Sequence, residues 1–213
     1  LRAATLSDDI QRLTQRVRVL QEDANDRIIA TADDINRLLE DIAELNVQIV
    51  NIEASDTTSS DAVGLRDRRE VALTKLAEII NVRAQEQENG SVTVFSGGDF
   101  LVFAGTPREV TAVVESGDGL NRGEIRIADT DNRIVSSSGR LAGLEAARDE
   151  IFGGFLDDLD DFASTLIFEF NKLHSSGQPL VGNTSLKSES AVSDVNAALD
   201  QASLPYDPVN GSF

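Results

Sequence analysis

Between residues 6 and 52 an apolar side chain returns every three or four positions: Leu6, Ile10, Leu13, Val17, Leu20, Ala24 and Ile28, then Ile35, Leu38, Ile42, Leu45, Ile49 and Ile52. A strand has no use for that period, which lays one stripe along an α-helix. A helix of this length needs partners along its full extent, because helical stability in proteins comes mainly from packing an apolar face. The chain is therefore expected to be built on one long amphipathic helix, or two in line. From Val17 to Ile28 the steps are three, four and four, an eleven-residue interval that locally unwinds a left-handed supercoil.

The polar run at residues 55–60 breaks the stripe, and Asp61 is a candidate cap for a second helix whose buried face is Leu65, Ala72, Leu73, Leu76 and Ile80. From Asn81 the period drops to two. Ser91-Val92-Thr93-Val94-Phe95, Phe100-Leu101-Val102-Phe103, Val110-Thr111-Ala112-Val113-Val114 and Glu124-Ile125-Arg126-Ile127 read as short strands, with turns at Asn89-Gly90, Gly97-Gly98 and Gly117-Asp118-Gly119. Past Ser136-Ser137-Ser138, a capping run, helical spacing resumes at Leu141, Leu144, Ile151, Phe155, Leu159, Phe162, Leu166, Phe170 and Leu173. Gly153-Gly154 predicts a kink or join inside this third long helix, which Gly177 and Pro179 end. A shorter helical pattern covers residues 190–202, ahead of Leu204-Pro205-Tyr206.

The fold class this order predicts is α+β: an elongated helical bundle carrying an inserted small antiparallel β subdomain. Residues 1–80 and 136–180 are assigned to the bundle, 81–135 to the insertion, and 181–213 to the start of a further, truncated segment. The abrupt changes of period predict that residues 88–128 are separable from the helices. Phe155, Leu159, Phe162 and Phe170 are expected to cover much of the stripe on the first helix.

Composition narrows the function. The 213 residues carry a formal net charge of -18, which repels phosphate backbones and anionic headgroups, so neither nucleic acid nor membrane is an expected partner. Cysteine is absent, which removes disulfides, thiolate metal sites and a cysteine nucleophile. There is no apolar run long enough to span a membrane, and the amino end lacks the pattern of a cleaved signal. A start at Leu1 without any methionine reads as a piece of a longer protein, and Val209-Asn210-Gly211-Ser212-Phe213 reads as a turn entering a strand.

Candidate chemistry is sparse. Asp157, Asp158, Asp160 and Asp161 are the densest carboxylate cluster, but at helical spacing they flank Leu159 and Phe162 and spread over an exposed face without converging. Asp129-Thr130-Asp131 begins like a calcium loop, yet Arg133 takes a ligand position and the later glycine and glutamate are missing; a tight turn accounts for it. His174 is the sole histidine, which excludes a histidine triad or a multi-histidine metal site; its place near a helix end suits bonding to terminal carbonyls. The glycine pairs sit in hairpins and open no helix, as a phosphate cradle would require. The sequons at Asn183 and Asn210 matter only in a glycosylating pathway. No catalytic, cofactor-binding or metal-binding residue is predicted, and no cofactor.

Three ordered stretches resemble the central region of the flagellar hook-associated protein 1 family, the first junction proteins between hook and filament. Asp34-Ile35-Asn36-Arg37-Leu38-Leu39 leading to Leu45-Asn46-Val47-Gln48-Ile49 is similar to a helix ending in Leu-Asn-x-Gln-Ile. Leu65-Arg66-Asp67-Arg68-Arg69 is similar to a Leu-x-Asp-x-Arg helix, followed by the hairpin at Gly90-Ser91-Val92 and the pair Leu101-Val102. Gly139-Arg140-Leu141-Ala142-Gly143-Leu144, Arg148-Asp149, then Asn171, His174 and Gly177 is the third and most specific.

The resemblance implies a non-enzymatic structural subunit of the bacterial flagellum, exported unfolded by the flagellar type III apparatus to the outside of the cell. It implies assembly with copies of itself, the hook protein and the second hook-filament junction protein. The chain taken alone is expected to be a monomer in dilute solution, since the terminal coiled-coil helices on which assembly rests in the family would lie outside it. The alternatives are another secreted coiled-coil module, such as a type III translocator or an adhesin stalk, and a carboxylate-dependent binding protein or hydrolase.

Overall fold

The computed structural model describes residues 2–54, 60–117, 120–175 and 196–197. The turn at Asp118-Gly119, the side chain of Asp61, the helix end at Gly177 and Pro179, most of residues 190–202 and the strand entry at 209–213 lie outside what is described. Helix α1 (Arg2–Glu53) is unbroken for 52 residues. At 1.5 Å per residue that is roughly 78 Å.

The α1 stripe is buried at Val17, Ala24, Ile28, Ala32, Ile35, Leu39, Ile42, Ala43 and Ile49. Two expectations fail at its start. Leu20 is 50% exposed and Gln21 takes its place in the buried line, because on a 3.6-residue turn position 21 lies nearer the line through Val17, Ala24 and Ile28. Leu6 and Leu13 are each 41% exposed, so this end of the stripe is not covered as the later turns are.

Helix α2 (Ser60–Ile79) packs on α1 through Ala62, Ala72, Leu73, Leu76 and Ile79. Four antiparallel strands follow in the order β1 (Arg83–Glu86), β2 (Val92–Ser96), β3 (Asp99–Phe103) and β4 (Thr106–Pro107). A separate hairpin pairs β5 (Val110–Gly117) with β6 (Leu120–Ile127), in register from Val110 opposite Ile127. β1 and β4 carry no alternating apolar signal: every β1 side chain is exposed, and β4 has two residues. β1 exists because β2 offers its edge, from Arg83 opposite Phe95 to Glu86 opposite Val92.

The last helical stretch is composite. Helix α3 (Gly139–Ala146) runs into a π-helical segment (Ala147–Gly153) and then into α4 (Gly154–Ser175), so the join expected at the glycine pair falls between its two residues. The serine run acts differently from a side-chain cap. Ser138 occupies the N-cap position without a side-chain cap bond, while the Ser136 hydroxyl donates to the Ser138 carbonyl at 2.6 Å and accepts from the Asn81 N–H at 2.9 Å.

By their contacts the residues form two compact units, Leu1–Thr165 and Leu166–Phe213. Of the second, the described residues are the last turns of α4 and residues 196–197. In the first, one core joins Ile28, Ile35, Leu39 and Ile42 of α1 to Leu73 and Leu76 of α2, Val94, Leu101 and Val102 of the sheet, Val110, Ile125 and Ile127 of the hairpin, and Leu141 of α3. Phe155 and Phe162 do not cover the α1 stripe as expected; they are 43% and 52% exposed, and α2, the strands, α3 and the π segment pack on α1 instead.

Insertion in sequence does not make the strands energetically independent. Replacing residues 88–128 by a short linker would uncover Ile28, Ile35, Leu39 and Ile42, each at most 1% exposed. Full exposure costs about 1.5–3 kcal/mol for each such side chain. The deletion is expected to lose cooperative melting followed by circular dichroism at 222 nm; an unchanged helical melt would show two separate cores.

Candidate functional site

Among the described residues, buried polar side chains line one side of α1, where it meets the strands. Asn25, Asn36 and Asn46 are eleven and ten residues apart, close to three helical turns, so they fall along one line of the helix. Each faces a strand backbone. Asn36 Nδ2 donates to the Val110 carbonyl and its Oδ1 accepts from the Val110 N–H, both at 2.8 Å. Asn46 does the same with Val92, donating at 2.8 Å and accepting at 2.9 Å, and also donates to the Ala104 carbonyl at 2.9 Å. A primary amide carries one acceptor and a two-proton donor, so it can complete a strand residue as a neighbouring strand would.

Asn25 is the third clamp and divides the task. Its Oδ1 accepts from the Gly123 N–H at 2.6 Å, while Arg148 Nη1 donates to the Gly123 carbonyl at 2.7 Å and to Asn25 Oδ1 at 3.1 Å. Glycine is required at 123: a Cβ there would stand 2.7 Å from Ile29 Cγ1 and 3.3 Å from Asn25 Oδ1. Arg148, only 1% exposed, also grips Asp149 with two bonds, Nε to Oδ1 at 2.9 Å and Nη2 to Oδ2 at 2.8 Å. Gln21, one turn before Asn25, donates to the Arg148 carbonyl at 3.0 Å.

A second buried arginine backs the Asn46 clamp. Arg69 Nη1 donates to Asn46 Oδ1 at 2.9 Å and to the Gly90 carbonyl at 2.7 Å, at a turn where Gly90 has φ +80°. That left-handed conformation is one side chains rarely adopt, which accounts for the Asn89-Gly90 turn. Burial pulls the Arg69 guanidinium below the ordinary arginine value, against the attraction of Glu86. Arg66 extends the joint outward through Glu53, at 2.7 Å, and Glu86.

Around the Arg148 clamp lies an ion-pair chain. Arg126 meets Glu124 and Asp131, each at 3.0 Å, and Glu115; Arg133 meets Glu124 at 3.2 Å and Glu145 at 2.9 Å. Most of these groups keep contact with water, so each pair adds little. Asp149 is the exception in leverage, because Arg148 holds its carboxyl below the usual carboxylate range despite an opposing desolvation. With a depressed folded value, this contribution is fully present above the unfolded value of about 4 and is lost as pH falls through it towards the folded value. Asp149→Asn is expected to be less stable than the parent at about pH 7 and to lose less stability between about pH 5 and 3. Urea melts across that range check it; parallel acid limbs would mean that Asp149 is not linked to folding.

The residues weighed from sequence stand apart from this line. Asp157, Asp158, Asp160 and Asp161 are all exposed along α4, and His174 is exposed in its last turn. Asp129-Thr130-Asp131 form the turn after β6, where Asp129 receives Arg108 at 2.5 Å. Among the described residues no group of three or more histidine or carboxylate side chains is placed to hold a metal ion, and no helix is long and apolar enough to cross a membrane. The clamp residues themselves carry no marking in composition; Asn36, Asn46, Arg69 and Arg148-Asp149 stand out only as motif positions.

Residues 1–187 match the flagellar hook-associated protein FlgK helical domain. Flagellar hook-associated protein 1 of Escherichia coli (strain K12) is 26% identical over 169 residues, 76% of this chain and 31% of that protein. The solved structure of the flagellar hook junction protein FlgK from Burkholderia pseudomallei superposes with a TM-score of 0.58 at 26% identity, over 69% of this chain and 27% of that one. The chain thus spans about a third of the curated relative it matches. With an α+β fold in which the ordered motifs supply the joints between its long helix and its strands, and a match over most of its length, this chain belongs to the FlgK helical-domain family of flagellar hook-associated proteins.

Proposed function

We propose that this chain is part of a non-enzymatic structural subunit that joins the flagellar hook to the filament by packing between subunits. The match to the FlgK helical domain over residues 1–187 carries the reading. The clamps support it: they spend buried polar groups on fixing strands to a helix, which suits a part that transmits load. The net charge of -18 agrees with partners that are neither nucleic acid nor membrane.

In this reading the subunit leaves the cell unfolded through the flagellar type III apparatus and works outside it, without a cofactor. Its neighbours are copies of itself, the hook protein and the second hook-filament junction protein. Residues 1–80 and 136–180 serve as its helical bundle domain, 81–135 as a β subdomain inserted between them, and 181–213 as the start of a further segment. The chain by itself is a monomer in dilute solution.

In the bacterium that carries it, in-frame deletion of the gene is expected to leave hooks without attached filaments while flagellin is still exported, and a plasmid copy should restore filaments. Normal numbers of attached filaments in the deletion strain would sink the junction role and favour another secreted coiled-coil module.

A further inference from the structure

Between α3 and α4 the chain winds as a π-helix over Ala147–Gly153. A π turn bonds residue i to i+5 and holds one residue more than the α turn it interrupts. Residues after it are therefore rotated by about 100° relative to an uninterrupted α-helix. Such a segment is rare and needs something outside the helix to maintain it.

Two residues of α1, one turn apart, supply that hold, and both act on Arg148. Gln21 Nε2 donates to the Arg148 main-chain carbonyl at 3.0 Å, inside the wide turn. Asn25 Oδ1 receives the Arg148 guanidinium at 3.1 Å, and the same guanidinium reaches the Gly123 carbonyl at 2.7 Å. Main chain and side chain of one residue are thus tied to the same face of α1. Past Arg148 the side chains of Glu150 and Ile151 turn to solvent, and the segment closes at Gly153, where a Cβ would stand 3.6 Å from Gln21 Nε2.

We infer that Gln21, Asn25 and Arg148 form a latch that keeps this helix in one of two registers. Latched, the segment is π-wound. Released, it rewinds as an α-helix and turns the start of α4 by about 100° about its axis. The side chains carried round include Phe155 and Phe162, seven residues apart and 43% and 52% exposed, so the latch sets which way these two rings at the start of α4 point. The body of α1, the strands and α3 stays in place, because its core does not include the π segment. This inference stands on the geometry and is independent of the hook-filament reading.

The chain contains no cysteine, so nitroxide labels at Asp26→Cys on α1 and Asp158→Cys on α4, both exposed, report the register through their electron-electron distance. At a label radius of roughly 10 Å, a turn of 100° moves the label by about 15 Å. The latched chain is expected to give one distance. Gln21→Leu removes the bond to the π-turn carbonyl and loses little else, because Gln21 Oε1 has no partner; it is expected to add a second distance displaced by several ångström. Deleting Ile151, 63% exposed, removes the extra residue without touching the latch and is expected to keep the parent distance and a cooperative melt. A single unmoved distance in Gln21→Leu overturns the latch, and so does an Ile151 deletion that shifts the distance or unfolds the chain.

Discussion

Arg148→Met is expected to destabilise the chain by about 3–5 kcal/mol, the range for breaking a buried charge network by removing one partner. In a chain of this size that lowers the melting temperature by about 10 °C. Methionine fills similar space, so the loss comes from polar groups and not from a cavity. The Gly123 carbonyl loses its donor, Asn25 Oδ1 keeps only the Gly123 N–H, and Asp149 is left without its two-point partner. Arg12→Met is the control: Arg12 pairs with Asp9 on the exposed side of α1, and its loss should stay within about 0.5 kcal/mol. Chemical denaturation that gave the two variants equal stability would show that water replaces the Arg148 bonds and that the clamp holds nothing.

The parts of this structure legible in the sequence are those set by neighbours along the chain. The three-and-four recurrence located α1, and the drop to period two located β2, β3, β5 and β6. β1 was illegible because Arg83-Ala84-Gln85-Glu86 buries nothing; its only reason to be a strand is the edge of β2. Leu20 and Gln21 show the limit of reading hydrophobicity as burial: the helix phase at that point puts the amide inside, where the Arg148 carbonyl meets it. The aromatic residues of α4 fit a covering helix by spacing, yet Phe155 and Phe162 are half open to water.

The clamps were hidden for a different reason. Asn25, Asn36 and Asn46 bond strand backbones 98, 74 and 46 residues away, and backbone groups leave no residue type to pair with in the sequence. The one local trace is their own spacing, polar amides recurring at three turns beside an apolar stripe, which favours a buried line over scattered surface positions. The motif resemblance reached Asn36, Asn46, Arg69 and Arg148 without a physical reason for them; the structure supplies it, since each bonds strand or turn backbone directly, at Val110, Val92, Gly90 and Gly123.

Asn46→Leu carries the second large expectation, a loss of about 4 kcal/mol. Leucine matches the amide closely in size, so the core around Asn46, which is fully buried, need not move. What changes is hydrogen bonding. The Val92 N–H and carbonyl, the Ala104 carbonyl and one Arg69 contact all lose their partner at once. A buried group stranded in this way costs about 1–3 kcal/mol, and the Arg69 charge retains the Gly90 carbonyl and Glu86 as partial compensation. Asn46→Asp separates the acceptor from the donor. The carboxylate still accepts from Val92 through one oxygen and gains attraction to Arg69, but its second oxygen replaces the donor that met the Val92 and Ala104 carbonyls, so it too should be destabilised, by less than leucine. The order parent, Asp, Leu is read from denaturant midpoints at neutral pH, and amide exchange should rise first at Val92 in both variants. If leucine were as stable as asparagine with Val92 still protected, the strand would be held by its own sheet, and Asn46 would be a passenger in the joint between α1 and β2.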